Sequence, residues 1–526
     1  MTSKLLTTLA AAFALTAAAA GAAPQPATPI QTSGPAPSLP AFIGHPATPH
    51  KFAGVPAAWR NPFMAPNPLS GVHNDAWQSD SYTQYGGPLG IKPQTLSNAI
   101  GRVCISITFD SKGRIVATCS NLQGPQLYLM DPKTLDVLAE LDLPFQPSTG
   151  NPATNTTGGA YFFLDSKDRA VVATADRKIN VYALSGTAPD LAYKQVESYD
   201  PTPCLDPQDR MPSALPDTNG RYWFVGRTKG SVGVLDPKTG KCGGIVLNEE
   251  IENSFATASD GVYIVTDHAQ YKFNAGADLK VKTIWHSKNY GNTGQQKTGQ
   301  FNAGSGTTPT LISGWTKKQR RSPAPEYVAI TDNADPMNVV VYRASNGSVV
   351  CTVPVFKQGA SDTENSLISM GRSLFVENNY GYDLLKFNDQ ILSAGMPVPN
   401  PTGDRSAVSE PGIARVDINK DGRGCHKAWE NDTVRAPSVV AKGNAVNGLI
   451  YTFENVKDPK VNDSDPWYWT TLDARTGKVV YKQLAGYGGF YNNHYAGIAL
   501  GKDKKTGKIT AYLGGVGGIM AMRDGA

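Results

Sequence analysis

Charged residues are scarce in this sequence. Asp, Glu, Lys and Arg make up 18% of the 526 residues, and the formal net charge is +5. So small a net charge on so long a chain creates only a weak surface field. The one basic cluster, at residues 317–321, is short and typical of a solvated loop. No nucleic-acid partner is therefore predicted.

Several catalytic signatures are also missing. The sequence contains no Gly-x-Ser-x-Gly, no His-Glu-x-x-His and no glycine-rich phosphate loop, and none of its cysteines lies in a Cys-x-x-Cys pair. These absences argue against an α/β-hydrolase, a zinc peptidase of the His-Glu-x-x-His type, a P-loop protein and a redox or zinc motif. The Gly-Ser-Gly at residues 304–306 lacks a strand-to-helix context and is predicted to be a loop.

Long apolar runs are absent beyond the N-terminus. After Lys4, residues 5–20 are apolar or small, and Ala20 and Ala22 suit a signal peptidase. This pattern predicts a secretory signal peptide at residues 1–22, cleaved after Ala22. The alternative is a membrane anchor, but the run is Ala-rich and shorter than the ~20 apolar residues that a span needs. The mature protein is expected to be secreted or periplasmic, without a membrane span.

Export makes disulfides possible for the six cysteines, an even number. Fifteen connectivities exist for six cysteines. Cys104 and Cys119 flank a hairpin turn at residues 110–113, although a one-residue bulge there would place them on different faces. The other two predicted pairs, by elimination and by proximity in the repeats, are Cys204–Cys242 and Cys351–Cys425.

The rest of the chain divides into a lead-in and a repeat. Residues 23–75 are rich in Pro, Ala and Ser and predict an extended segment without a core of its own. Residues 76–526 form eight units of short apolar strands and Asp, Asn or Gly turns, at a spacing of roughly 40–70 residues. Four short strands per unit are typical of propeller blades. The predicted fold is an all-β, single-domain β-propeller with eight four-stranded blades, or seven if one irregular unit is misjudged.

The last unit has only three strands. A sheet edge left open is a liability in an all-β protein, so an N-terminal strand is expected to complete this blade and close the ring. Residues 82–91 are the predicted source of that strand.

Three turns resemble those of a known superfamily. Asp-Pro-Lys-Thr-Leu at residues 131–135, Asp-Pro-Lys-Thr-Gly-Lys at 236–241 and Asp-Ala-Arg-Thr-Gly-Lys at 473–478 are similar to the turns between third and fourth strands of quinoprotein-like propellers. The resemblance implies the fold. Enzymes of that superfamily bind pyrroloquinoline quinone, with Trp docking motifs and, in many, adjacent cysteines. Here Cys242 or Val479 follows the turn, and no cysteines are adjacent, so the quinone itself is not expected.

Polar residues recur where innermost strands begin or second strands end, and these positions converge on the axis of a propeller. Carboxylate and amide oxygens suit Ca²⁺, and lactonase-type propellers hold such an ion. The predicted metal ligands are Glu252, Asn253, Asp332, Asn333, Glu364, Asn365, Glu377 and Asn378. The predicted catalytic residues are His494 and His268 as general bases, with Arg210 beside them. The alternative is that these side chains cap strand ends.

Three functions remain open from sequence alone. The first is an exported enzyme that acts on a small molecule in a polar axial pocket, with a divalent ion such as Ca²⁺, by lactone or ester hydrolysis or by oxidation. The second is a secreted binding or scaffold propeller that uses aromatic loops near Trp315, Trp467 and Trp469. The third is a quinoprotein dehydrogenase.

Overall fold

The computed structural model describes residues 24–525 apart from residues 122, 147–154, 289, 315–317, 319–321, 384–408 and 462–463. The predicted signal peptide lies outside the described residues, as does Trp315. No helix within the described part of the chain is long and apolar enough to cross a membrane.

The protein is all-β, and its strands form eight sheets. Three short strands precede the first complete blade: β1 (Phe42–Gly44), β2 (Ser81–Tyr82) and β3 (Gln94–Asn98). The strands of each blade are given from inside to outside. Blade one contains β4 (Val103–Phe109), β5 (Ile115–Asn121), β6 (Gly124–Met130) and β7 (Val137–Asp142), and blade two contains β8 (Phe162–Leu164), β9 (Ala170–Ala173), β10 (Ile179–Ser185) and β11 (Ala192–Tyr199). Blade three contains β12 (Ala214–Pro216), β13 (Tyr222–Val225), β14 (Ser231–Leu235) and β15 (Cys242–Val246), and blade four contains β16 (Ala256–Ala258), β17 (Gly261–Val265), β18 (Gln270–Ala275) and β19 (Val281–Ser287).

Blades five to seven repeat this order, and blade eight ends at its third strand. Their strands are β20 (Thr310–Ile312), β21 (Tyr327–Thr331), β22 (Asn338–Arg343) and β23 (Val349–Pro354); β24 (Ile368–Met370), β25 (Ser373–Glu377), β26 (Ile413–Ile418) and β27 (Cys425–Asn431); β28 (Lys442–Asn444), β29 (Leu449–Asn455), β30 (Pro466–Asp473) and β31 (Val479–Tyr487); β32 (Ala499–Lys502), β33 (Ile509–Gly515) and β34 (Gly518–Arg523). Two 3₁₀ turns, Thr202–Cys204 and Gly489–Tyr491, complete the elements of the described residues. The predicted eight-bladed propeller is confirmed.

An N-terminal strand closes the ring, but it is β3 rather than residues 82–91. Gln94 pairs with Arg523 and Asn98 with Ile519, antiparallel, so β3 is the outer strand of blade eight. Tyr82 instead belongs to β2, which pairs parallel to β28 at the inner edge of blade seven. The predicted location was wrong because Gly86, Gly87, Pro88 and Gly90 interrupt any strand there.

The core lies between neighbouring blades. Second and third strands are mostly buried, and their large side chains fill the space between sheets, as Trp223 and Phe224 do between blades. Trp467 and Trp469, on β30, are fully buried and pack against Phe453. They therefore belong to the core and do not form an exposed aromatic loop.

All three predicted disulfides are present. Cys104 and Cys119 face each other across β4 and β5, because the register shift of this hairpin comes after Cys104, at Ile105. The bulge therefore leaves the cysteine pair on one face. Cys351–Cys425 joins the outer strands of blades five and six, so it links two neighbouring blades.

The bridge between blades is expected to matter more than the one within a blade. Loop-closure entropy predicts a loss of about 4 kcal/mol for the 74-residue separation of Cys351 and Cys425, against about 3 kcal/mol for the 15-residue separation of Cys104 and Cys119. Urea unfolding of the two double Cys→Ser variants checks this order. The reverse order would show that chain entropy does not govern these bridges.

The lead-in segment occupies the axis of the ring. We call residues 61–82 the axial plug; residues 72–82 are all buried. The plug hydrogen-bonds to the innermost strand of every blade. In blade order, its partners are Thr108, Leu164, Pro216, Thr257, Leu311, Ser369, Gly443 and Leu500. These bonds satisfy inner-edge backbone groups that would otherwise face the open channel.

Candidate functional site

A small axial cavity, with about 50 Å³ of space accessible to water, lies above the plug. Val72 and His73 of the plug form its floor. The walls come from loops that lead into innermost strands, which carry Tyr161, Asn253 and Glu364. Because such loops from different blades meet at the axis, residues far apart in sequence line one cavity.

The connection between blades four and five covers part of this cavity. We call residues 290–306 the roof loop. Thr298 accepts a backbone hydrogen bond from Gly381 at 2.8 Å, and Gly299 accepts one from the Tyr495 hydroxyl. The roof loop thereby reaches from blade four to blades six and eight and places the Phe301 ring in the cavity.

Glu364 is the acidic residue of the cavity wall. The Phe301 amide donates to its Oε1 at 2.9 Å, while its Oε2 is buried and lacks a hydrogen-bond partner among the described residues. Burial and the charge of Glu252 raise the pKa of Glu364 well above its usual range. Its environment therefore favours the protonated form of Glu364.

Glu252 lies next to it, before β16. Both of its carboxyl oxygens are buried without a hydrogen-bond partner in the described part of the chain, and Arg227 Nη2 lies 3.6 Å from Oε1. Burial raises the pKa of Glu252 to about 8, although Arg227 acts in the opposite direction. Two carboxyl groups of raised pKa thus share one electrostatic environment, an arrangement that separates acid and base roles in enzymes.

Hydrogen bonds link Tyr161 to Asn253, and Asn253 to the roof loop. The Tyr161 hydroxyl donates to Asn253 Oδ1 at 2.7 Å, and Asn253 Nδ2 donates to the Gly306 carbonyl at 2.7 Å. Gly306 has a φ of +69°, and a Cβ there would lie 2.2 Å from the Thr363 carbonyl oxygen. Only glycine fits at this point, so the roof loop can pass close to Glu364.

The plug contributes a buried His–Asp pair. His73 Nδ1 lies 3.0 Å from Asp80 Oδ2, and the Ser366 hydroxyl donates to the same oxygen at 2.6 Å. His73 Nε2 is buried and has no hydrogen-bond partner among the described residues. A carboxylate acceptor at Nδ1 fixes the tautomer that leaves Nε2 as a proton acceptor.

Lys442 supplies the counter-charge for Asp80. Its Nζ donates to Asp80 Oδ1 and to the Val72 carbonyl, and both charged side chains are fully buried. Burial alone would raise the pKa of Asp80, but the charge of Lys442 and the hydrogen bonds from His73 and Lys442 overcome this and lower it. Asp80 is therefore ionised, and it ties the plug to blade seven.

Most of the predicted metal ligands lie elsewhere. The structure brings Glu252, Asn253 and Glu364 together. Asp332 accepts hydrogen bonds from Ala334 and Asn338, as a turn cap does. The side-chain amides of the others donate to backbone carbonyls within and next to their own blades, as seen for Asn333, Asn365 and Asn378.

Glu377 also lies apart from the cavity lining. It accepts hydrogen bonds from Thr452 and the Ala441 amide, and burial raises its pKa to about 8. Within the residues that the structure describes, no group of three or more His, Cys, Asp or Glu side chains is placed to hold one metal ion.

Of the three predicted catalytic residues, only His494 lines the cavity. It packs against Phe301 and Tyr495, and its Nδ1 lies 3.3 Å from the Tyr382 hydroxyl. His268 has a side chain that is 62% exposed and pairs with Asp267. Arg210 bonds Gln146 and the Ala175 carbonyl. The structure does not bring these last two residues to the cavity.

His73, Asp80 and Lys442 were not predicted as site residues from the sequence. A signal for the first two was present, since no proline lies between Pro68 and Pro88 and residues 70–82 are dense in His, Asn, Asp, Ser, Trp and Tyr. That composition differs from a Pro/Ala linker and is typical of a segment that packs and hydrogen-bonds.

Pyrroloquinoline quinone does not fit this cavity. The quinone is an anion with several carboxylates, while the described lining residues include Glu364 and no Lys or Arg. The three disulfides join cysteines distant in sequence, so the adjacent pair found in many quinoproteins is also absent among them. No step of the chemistry below involves this cofactor.

Comparison with known proteins supports the fold. No family model matches the sequence. An uncharacterised protein of Archaeoglobus fulgidus is 24% identical over 301 residues, which is 52% of this chain and 54% of that protein. The chain thus spans about half the length of this curated relative.

Two solved structures illustrate the structural likeness. Sqt1 of Chaetomium thermophilum, bound to the N-terminus of ribosomal protein L10, aligns with a TM-score of 0.42 at 13% identity, over 78% of this chain and 94% of Sqt1. A quinohemoprotein alcohol dehydrogenase of Pseudomonas putida HK5 aligns with a TM-score of 0.53 at 10% identity, over 90% of this chain and 83% of the dehydrogenase. The propeller fold that the three turns implied is confirmed, and the chain is similar to this dehydrogenase in its fold.

Proposed function

We propose that this propeller is an enzyme that binds a small polar molecule in the axial cavity and acts on it by proton transfer. The observation that carries the proposal is Glu364, a buried carboxyl group in the cavity wall with one unpartnered oxygen and a raised pKa. A carboxylic acid that keeps its proton near neutral pH is suited to general acid catalysis.

The cavity also holds a base. His73 lines its floor, and Asp80 orients the ring through Nδ1. Glu364 would donate a proton to a leaving group or carbonyl oxygen, and His73 Nε2 would accept one from water or from the substrate. Both groups come from well-packed parts of the ring, which supports a fixed geometry during the reaction. Lactone or ester hydrolysis is a reaction class that uses such a pair.

The test is a substrate screen with a matched pair of variants. Lactones and esters are assayed with wild-type protein, E364Q and E140Q; Glu140 lies on the exposed face of outer strand β7. We expect E364Q to lower kcat by about 10²–10⁴-fold, since Gln cannot donate the proton, and E140Q to leave it unchanged. Elemental analysis of the same preparations measures Ca²⁺. Activity that E364Q leaves intact would remove the acid role.

A binding function is the second candidate, and the buried plug favours it. A ring whose axis is fixed by hydrogen bonds in every blade is a rigid scaffold. In that case a ligand found by thermal shift would bind wild type tightly and be released unchanged.

A further inference from the structure

The surroundings of the axial cavity are acidic. Glu364 lines the cavity, and the charge of Glu252 acts on it and on Tyr161 and Tyr495. Asp362 lies two residues before Glu364, is fully buried, and has both carboxyl oxygens unpartnered among the described residues. Buried carboxyl oxygens without partners are costly, and a ligand that pairs with Glu364, which lines the cavity, would recover part of that cost.

No Lys or Arg side chain belongs to the cavity lining that the structure describes. Arg227 and Lys297 are the cations whose charge acts on Glu364 and Asp362, and both have partners within the protein. Arg227 pairs with both Glu250 and Glu252, and the Lys297 amine donates to the carbonyls of Ala334 and Ser361. The cavity side of Glu364 is therefore left for a positive group from outside the protein.

Aromatic rings line the same space. Phe301 contacts Tyr495 edge to face, with ring centroids 4.8 Å apart, and lies 5.8 Å from the ring of His494. Tyr161, which stacks on His73 at 6.0 Å, lines the cavity as well. Faces of aromatic rings attract organic cations, and this attraction strengthens when the site is shielded from water.

We propose that the occupant of the axial cavity carries a positively charged nitrogen, as an amine or a quaternary ammonium group, which Glu364 Oε2 and the surrounding aromatic rings bind. This inference rests on the binding function given above as the second candidate and names its ligand class, because a Glu364 that is ionised beside a bound cation has no proton to donate. The geometry favours an organic cation over a metal ion, because the described acidic and His side chains do not come together in threes around one point. An organic cation needs no such shell, since one carboxylate and ring faces are sufficient.

Binding of this kind has a defined pH dependence. A cation stabilises the ionised form of Glu364, so affinity rises with pH as the carboxyl loses its proton, and binding at neutral pH releases a proton. The groups that face Glu364 and shape this titration are Glu252, Asp362, Arg227, Tyr161, Tyr495, His73 and His494. A neutral ligand that accepts a hydrogen bond would show the opposite trend, because it needs the protonated acid.

The experiment uses calorimetry on the full protein with paired probes. Choline is compared with its neutral carbon isostere dimethylbutanol, and phenethylamine with phenylethanol, at pH 6 and pH 8.5 in two buffers of different ionisation heat. We expect at least one amine to bind about tenfold more tightly than its neutral partner, more tightly at the higher pH, and with proton release. E364Q should abolish these differences, and E140Q should retain them.

Three results would overturn the inference: neutral partners that bind as well as the amines, no binding by either amine, or Ca²⁺ binding that depends on Glu364 while the amines do not bind. The proposed function is judged separately. A neutral lactone or ester whose turnover depends on Glu364 would keep the enzyme proposal and reject only the cation.

Discussion

Replacing Lys442 by Met is expected to destabilise the protein by about 3–5 kcal/mol, because Asp80 then stays buried without its counter-charge. Lys442 and Asp80 are both fully buried, and Met has the length and apolar character to fill the space of the lysine stem. The free energy of unfolding, from urea titration, measures the loss. Hydrogen exchange at residues 70–82 should increase in the same variant, since the pair holds the plug on blade seven.

The double variant K442M/D80N is the control. Removing both charges leaves no unpaired ion, so most of the lost stability should return. The exposed pair Lys427–Glu430 gives a second comparison. K427M breaks this salt bridge at the surface and should lower the free energy of unfolding by less than about 1 kcal/mol. A K442M variant as stable as K427M would show that the ion pair does not hold the plug.

Stability is expected to decrease as the pH rises from about 5 to 8. The pKa of Glu252 and of Glu377 is raised to about 8, and that of Asp75 to about 7, in each case mainly by burial. Up to its folded pKa, each group keeps a proton that the unfolded chain has lost, so it lowers the free energy of unfolding by at most about 1.4 kcal/mol per pH unit. The effect of Asp75 ends near pH 7 and that of the two Glu residues near pH 8. Below about pH 4.5 these groups are protonated in the unfolded chain as well, so their contribution to the free energy of unfolding is at its maximum there.

Carboxyl groups with a lowered pKa act in another range. Hydrogen bonds from Thr506 and Lys133 lower the pKa of Asp503, and the pKa of Asp80 is lowered as well. These two groups therefore stabilise the folded protein at neutral pH, and this contribution is lost only in acid, below the ordinary pKa of Asp. Urea unfolding at pH 5, 6, 7 and 8 measures the slope, and E252Q should make it shallower than in E140Q. A stability that stays level or increases over this range would contradict the buried, protonated state of the axial acids.

The sequence predicted the ring because its signals are repeated. Eight units with the same strand and turn order support one another, and cysteines in neighbouring units limit the disulfide pairing. The closing strand was predicted at residues 82–91 because only local composition identifies it. Gly86, Gly87 and Pro88 prevent a strand there, despite the apolar residues around them. The plug was not predicted for a similar reason. Residues 23–60 are rich in Pro and Ala, and residues 61–75 were assigned to the same extended segment.

The site was predictable only in part. The Glu-Asn-Ser sequence, which occurs at residues 252–254 and again at 364–366, predicted Glu252 and Glu364. The same residue types at the ends of second strands, such as Asp332 and Asn378, form turn caps, and sequence alone does not separate the two uses. His73 and Asp80 depend on contacts with Ser366 and Lys442, nearly three hundred residues or more away, which no local pattern records.

The pairing of β3 with β34 has a consequence for how the chain is made. An early strand of the polypeptide has to wait, unpaired, until the last strand has been synthesised, and the plug needs all eight inner edges before its hydrogen bonds are complete. Blades one to six consist of consecutive strands and can form in turn, but closure of the ring has to come late. The last step of folding therefore joins the two ends of the chain through long-range contacts, which are slow to form.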